Sequence, residues 1–373
     1  MDEPTSVEEW SELLMLGPRG RRLLLEFALR AERLRDSEQF DDSFATAVML
    51  AATALEPGQT SSTAFFGDVP HPGPLQAISP AEAAARLDEV ELPEVTPEVL
   101  RACLARSVDA AMYWQPQDGE DLLASTEEMR AALRRVARHV AASDAVAWWR
   151  SGVAVQSQWM IRWSGDPMKE VARDPLAELR DARARVIEAE STAARKWLGR
   201  PRRNVSGEWW AHPGWAMVSS TRDIIDASPV GLWSVEDSLG WEAAEAYPLD
   251  VPAGLRVFEV EGPEAWAALC ARFPMVVTAQ KQHDWSRVTG REGAWVVPDW
   301  SAVAEQYDGV HLQAAAYLSA AGTLIPVDDE TASLIAGWNP DETYWFSAAV
   351  RPRAEPVRWE LDHDDTEIPW VRQ

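Results

Sequence analysis

Cysteine is scarce in this chain of 373 residues. Cys103 and Cys270 lie far apart, each in an apolar helical pattern (LRACLARSV and AWAALCARF). In such a setting a free thiol behaves as a small buried hydrophobe. Neither a disulfide framework nor a zinc site is expected. No apolar run reaches the roughly 18 residues that a membrane span requires. The first residues, MDEPTSVEEW, also lack the basic and apolar regions of a signal peptide. A membrane is therefore not an expected partner, and the cytoplasm is the expected location. Positive charge is short as well, with 35 basic against 60 acidic residues and a formal charge of -25. That excess repels phosphate backbones, so general nucleic-acid binding is not expected. A small anionic ligand held by one or two arginines remains compatible with it. The lysines are Lys169, Lys196 and Lys281; arginine in place of lysine, with frequent Ala, Pro and Trp, is the composition of a GC-rich bacterial genome.

Several motifs are missing too. Without GxGxxG, a P-loop or GxSxG, the sequence argues against a Rossmann oxidoreductase, a P-loop NTPase and an α/β-hydrolase. His283-Asp284 and Asp362-His363-Asp364-Asp365 lack the partner spacing of a dedicated metal site. No metal is expected.

What is present is enough apolar surface, 46% of residues, to fill more than one core in a chain of this length. Residues 1–145 read as a helical domain. Ser6-Val7-Glu8-Glu9 has capping-box spacing, and Ser79-Pro80 and Thr96-Pro97 place proline at a first helical position. Ser125-Thr126-Glu127-Glu128 starts a long helix with Met129, Leu133, Val136 and Val140 inward. In RRLLLEFALRAERLR, Leu23, Leu24, Phe27, Ala28 and Leu34 fall near helical spacing with arginine on the other face. Phe44 to Leu55 is apolar on most sides and predicts a buried helix. Glu56 to Pro74 reads as a loop.

Residues 146–204 hold a strand or hairpin (AWWRSGVAVQSQWMIRW) and a long amphipathic helix suited to bridging two domains. From 205 to 350 short strands alternate with short helices. Leu255–Val260, Val276-Val277, Trp295–Val297, Val310–Leu312, Leu324–Val327 and Thr343–Phe346 predict a mixed sheet, and the fold class is α+β. Residues 351–373 read as a charged tail lying over the surface or poorly ordered.

The densest aromatic stretch runs from Trp209 to Trp241 and gathers Trp209, Trp210, Trp215, Trp233 and Trp241 around His212, Arg222 and several hydroxyls. Within it, Gly231-Leu232-Trp233-Ser234-Val235-Glu236-Asp237-Ser238-Leu239-Gly240-Trp241 resembles the middle motif of the ADP-ribosyltransferase fold. The resemblance covers about residues 215–347 and departs from the family in carrying Trp233 where Tyr is usual. It also lacks a Glu-x-Glu or Gln-x-Glu pair at the late acid, where the chain reads Asn339-Pro340-Asp341-Glu342. It implies NAD as a substrate, a helix after the motif, and a grip on the dinucleotide by Arg222 with Thr221; His212 is a second candidate for the grip. Trp233, Ser234, Ser238 and Trp241 would lie about the nicotinamide. A late acid, Glu342 or Asp341, would stabilise the ribosyl cation. Apart from the resemblance, His311 alternates with Val310 and Leu312, which places its side chain toward a cleft where it could orient substrate. The chemistry is coherent: a guanidinium fork suits phosphate, an indole face suits a flat cation, and a carboxylate suits positive charge on a sugar.

Each residue also has a plainer reading. Arg222 beside Asp223 makes a surface ion pair, Trp233 and Trp241 anchor a core, Asp341-Glu342 is a solvated turn, and His311 is a satisfied structural histidine. On those readings the chain is a non-catalytic acidic interaction protein, an immunity or adaptor factor meeting a basic protein partner through its tryptophans. A deep cleft lined by Trp233, Trp241 and Arg222 favours the first reading; Trp rings dispersed in the core or on a convex patch favour the second.

Overall fold

The computed structural model describes residues 6–33, 43–56, 78–165, 171–197, 208–238, 240–362 and 370–373. The loop expected from 56 to 74 and His363-Asp364-Asp365 fall almost wholly outside them. The chain divides into two compact units, Met1–Ser107 with Pro116–Val146, and Val108–Gln115 with Ala147–Gln373. Among the described residues no helix is long and apolar enough to cross a membrane.

The first unit is helical: α1 (Val7–Leu16), α2 (Pro18–Arg33), α3 (Phe44–Leu55), α4 (Pro80–Glu89), the start of α5 (Pro97–Asp109), α6 (Gly119–Ser125) and α7 (Glu127–Ala141). Side-chain caps set several starts. Ser6 accepts from the Glu9 amide, Thr126 from that of Met129, and Ser79 with Glu82 completes a reciprocal capping box. Inward residues at helical spacing, among them Leu14, Leu24, Phe27, Val48, Leu133 and Val136, are fully buried, and each contributes roughly 1.5–3 kcal/mol of apolar burial.

The arginine face of α2 is not solvated as its pattern suggests. Arg19 and Arg22 are buried, Arg19 ion-paired with Asp121 and donating to the Ser107 carbonyl at 2.6 Å. Arg22 reaches Glu26 at 3.0 Å and Asp118 at 3.0 Å. Apart from Glu26, the acids that neutralise them come from and just before α6, about a hundred residues on, where local periodicity carries no information.

The second unit is mixed α+β. Its elements are β1 (Trp159–Trp163), α8 (Pro175–Trp197), β2 (Val218–Ser220), α9 (Val230–Trp233), β3 (Ala243–Asp250), β4 (Val257–Val260), α10 (Pro263–Arg272) and β5 (Pro274–Val276). Then follow α11 (Thr278–Thr289), β6 (Ala294–Pro298), α12 (Trp300–Val303), β7 (Gly309–Leu312), α13 (Ala314–Ala320), β8 (Ile325–Pro326), β9 (Thr331–Ser333), β10 (Thr343–Trp345), β11 (Arg351–Pro352), β12 (Val357–Leu361) and β13 (Trp370–Arg372).

One sheet runs β1-β3-β12-β13, with β11 also on β3; a second runs β2-β10-β7-β4; a third runs β5-β6-β9-β8. The first two are stitched by an antiparallel bridge in which Trp159 and Thr221 exchange backbone hydrogen bonds of 2.9 and 3.1 Å.

Three expectations are corrected here. The residues after Trp241 form strand β3, not a helix, because Ala244 and Ala246 alternate inward along an eight-residue strand. The segment after 351 is no loose tail: β11, β12 and β13 pair into the first sheet, and Trp359 and Trp370 are buried there. Helix α8, expected as an inter-domain bridge, is anchored within the second unit. Its Glu190 accepts from the amides of Ala279 and Gln280 at the start of α11, and its Arg183 pairs with Asp299 at 2.6 Å. A carboxylate on orphan amides at a helix start is a strong local anchor.

Candidate functional site

A cavity of about 610 Å³ opens in the second unit where β1 meets β2 and β10. Its walls are tryptophan: Trp159 and Trp163 from β1, Trp209, Trp210 and Trp215 from the segment before β2, and Trp241. Alternation along WMIRW gives Trp159, Ile161 and Trp163 one face of β1, as a strand requires. The rings of Trp163 and Trp241 lie 7° from parallel with centroids 6.1 Å apart. The Trp241 indole Nε1 is buried without a hydrogen-bond partner.

Three carboxyls line the same space, Glu236, Asp237 and Glu342, with Arg162 the one cation among the lining residues. Glu236 is fixed at both oxygens, accepting from the Tyr317 hydroxyl at 3.0 Å and from the Gly337 amide at 2.8 Å. Asp237 adopts a left-handed backbone (φ 65°) and accepts from Trp114 Nε1 at 2.8 Å. Burial raises its pKa above the ordinary aspartate value. Glu342 is buried at the start of β10. Burial pushes its pKa up to about 7, against the hydrogen bonds of Ser219, Asn339 and Tyr344. The Asn339 amide donates to Glu342 Oε2 at 3.2 Å. A carboxyl that titrates near neutrality inside a cavity is the usual signature of a proton-handling or charge-stabilising group.

The neighbouring acid does something else. Asp341 also has a left-handed backbone (φ 61°), and its carboxylate enters a buried ion cluster. Its oxygens take the Arg222 Nε–H at 2.6 Å and the Arg222 backbone amide at 2.8 Å. His311 Nε2 lies 3.2 Å from Asp341 Oδ1, and His311 Nδ1 lies 2.6 Å from Glu259 Oε2. Burial alone would push the imidazole down, but hydrogen bonds and charge from Asp341 and Glu259 outweigh it and hold His311 up at about 9. Arg222 further donates to the carbonyl of Gly152 at 2.9 Å and sits over the Trp148 ring.

The structure therefore brings Glu342, Thr221 and Trp241 together in the cavity and collects Asp341, Arg222 and His311 in a separate, self-satisfied cluster. Arg222 is committed to Asp341, while Asp223 accepts from the Ser157 hydroxyl, so the pair expected between Arg222 and Asp223 does not form. Asp341 and Glu342 are both buried, not a solvated turn. Trp233 is buried and donates from Nε1 to the Ser228 hydroxyl at 3.1 Å. Ser234 is buried beside it, its hydroxyl without a partner, and neither residue lines the cavity. Ser238 closes a short 3-10 turn. His212 is buried in a turn, its ring stacked 5.1 Å from that of Tyr344.

Sequence reasoning gave no site role to Trp159, Trp163, Glu236, Asp237 or Tyr344. For the β1 pair a signal existed, since alternation had already placed both rings on one face. The site thus defines a mixed α+β protein with a tryptophan-walled, carboxyl-lined cavity. Compared with protein-family models, curated proteins and solved structures, the chain finds no match in any of the three.

Proposed function

We propose that the second unit is an enzyme of glycosyl chemistry whose cavity takes a flat, cationic ring joined to a sugar. The bond between ring nitrogen and sugar carbon breaks, its electron pair leaves with the ring, and Glu342 as carboxylate stands against the positive charge left on the sugar. Water or another nucleophile then bonds to that carbon and loses its proton. NAD is the donor that the ADP-ribosyltransferase resemblance implies, and its nicotinamide has the required charge and shape.

The observation that carries the reading is the placement of Glu342, a buried carboxyl in a cavity walled by indoles, where burial pushes its pKa up to about 7. Indole faces attract flat cations, and the three acids favour positive charge over negative. The tryptophans line a concavity, which favours a small ligand over a protein docking face. Arg222 has no part in this reading, because its guanidinium is spent on Asp341; a diphosphate would extend toward Arg162, the exposed residue of strand β1. Release of nicotinamide from NAD and from nicotinamide riboside tests it. Wild type is expected to release it and Glu342→Gln to lose about 100-fold or more of the rate; no release from either substrate, or equal rates, refutes it.

A further inference from the structure

A second cavity, also of about 610 Å³, lies between α8, the segment 208–217 and the edge formed by β5, β6 and α11. Its surface is mostly apolar, with Leu179, Val186, Trp210, Met217, Val277 and Trp300 in its walls. Two buried nitrogen-bearing side chains, Lys281 and His212, interrupt that surface. Lys281 is about 95% buried, being 5% exposed, and its ammonium donates to the carbonyl of Trp210 at 2.8 Å and to that of Glu208. An ammonium carries three protons. The third finds no oxygen acceptor among the described residues; the nearby indole of Trp285, 5.6 Å from Nζ, offers only a ring face.

His212 is the other nitrogen source. Its Nδ1 accepts from the Gly214 amide at 3.0 Å, so the neutral ring carries its proton on Nε2. That Nε2 is buried and without a partner among the described residues. The ring stays neutral: burial, then the charge of Lys281, hold its pKa down at about 3. Lys281 itself is lowered to about 8, by burial first, against the raising charges of Glu208, Asp284 and Glu190. The acids in the cavity wall do not fill the gap. Glu178 is ion-paired with Arg185 at 2.6 Å, and Glu208 reaches Lys281 through its carbonyl.

An unsatisfied buried donor costs about 1–3 kcal/mol, more when charged. Among the described residues His212 Nε2–H is such a donor, Lys281 keeps one N–H without an oxygen acceptor, and both residues line the same mostly apolar cavity, where a ligand group with two oxygen acceptors could serve them. We propose that this cavity binds a small hydrophobic carboxylate, its acid group on Lys281 Nζ and His212 Nε2 and its apolar body against Leu179, Val186, Met217 and Trp300. Arg183, also in the wall, is held by Asp299 and leaves Lys281 as the buried charge that selects the acid. The site adjoins the carboxyl-lined cavity, with Trp210, Trp215 and Met217 in both walls; the acids of that cavity would repel such a ligand, and the proposal does not depend on the glycosyl reading.

The experiment titrates the full chain with octanoate, with 3-phenylpropanoate and with 1-octanol, followed by tryptophan fluorescence, since Trp210 and Trp300 lie in the wall. The two acids distinguish an aliphatic from an aromatic body. At least one acid is expected to bind saturably and about ten-fold or more tighter than the alcohol. In Lys281→Gln and in His212→Phe that preference is expected to fall to about two-fold or less. If neither acid binds at up to about 10 mM, or the alcohol binds as tightly as the acids, the proposal fails. Should both variants unfold, the acid-against-alcohol comparison on wild type still decides.

Discussion

Glu342 and His311 show how two residues in one sheet are tuned in opposite senses of use. Glu342 faces a cavity and is pushed up to about 7 by burial. As a charge-stabilising carboxylate it must be ionised, so the rate of nicotinamide release is expected to rise with pH and level off above about 7; a rate that falls over that range would make it a proton donor instead. Its raised value also bears on stability. The folded state holds the proton more tightly than the unfolded one, so this contribution is complete below the ordinary glutamate value of 4.5 and is lost as pH rises through about 7. Glu342→Gln is therefore expected to remove that slope and to be more stable than wild type at pH 8, by up to about 3 kcal/mol, in urea unfolding. His311 is raised from 6.5 to about 9 by its two carboxylates. Its contribution is complete below 6.5 and is lost as pH rises through 9. His311→Gln should cost about 3–5 kcal/mol at pH 6 and flatten the loss of stability between those two values; an unchanged pH profile would show that the cluster is not ionised as the distances indicate.

At the scale of elements, the cavity wall depends on close backbone approach. Gly337 has φ +68°, and a Cβ there would lie 2.4 Å from the Cβ of Trp210. Gly337→Ala is expected to destabilise by about 1–3 kcal/mol and to displace Trp210, weakening ligand binding more than its stability cost explains. Deleting 370–373 should lower the melting temperature by several degrees, because it removes β13 and uncovers Trp359 and Trp163; an unchanged melting temperature would mean that the strand is only draped on the sheet.

These two elements also mark what was legible in the sequence. Caps, helical spacing and strand runs located most helices of the first unit and β4, β6, β7 and β10 of the second, because those signals are local. Strand β3 was hidden by its alanines, which suit either period. Helix α11 was hidden by its polar composition, since it buries little beyond Lys281, Asp284 and Trp285. The site was half legible: Glu342, Thr221 and Trp241 share the cavity, but the pairing of Arg222 with Asp341 spans more than a hundred residues and no spacing rule reveals it.

At the scale of the whole molecule, a net charge of -25 places like charges against one another throughout. Screening relieves that repulsion, so the melting temperature is expected to rise between about 20 and 300 mM salt; a fall would mean that exposed ion pairs such as Arg138–Glu8 outweigh it. The same excess of acid bears on what enters the carboxyl-lined cavity, favouring a cationic ring over an anionic one. The most direct test is a thermal-shift titration of the full chain with nicotinamide riboside, a cationic ring on a sugar without phosphates. A ligand bound by the folded state alone must raise the melting temperature saturably. That rise is the predicted result, with its loss in Trp241→Ala; a flat response up to about 10 mM would contradict the central claim.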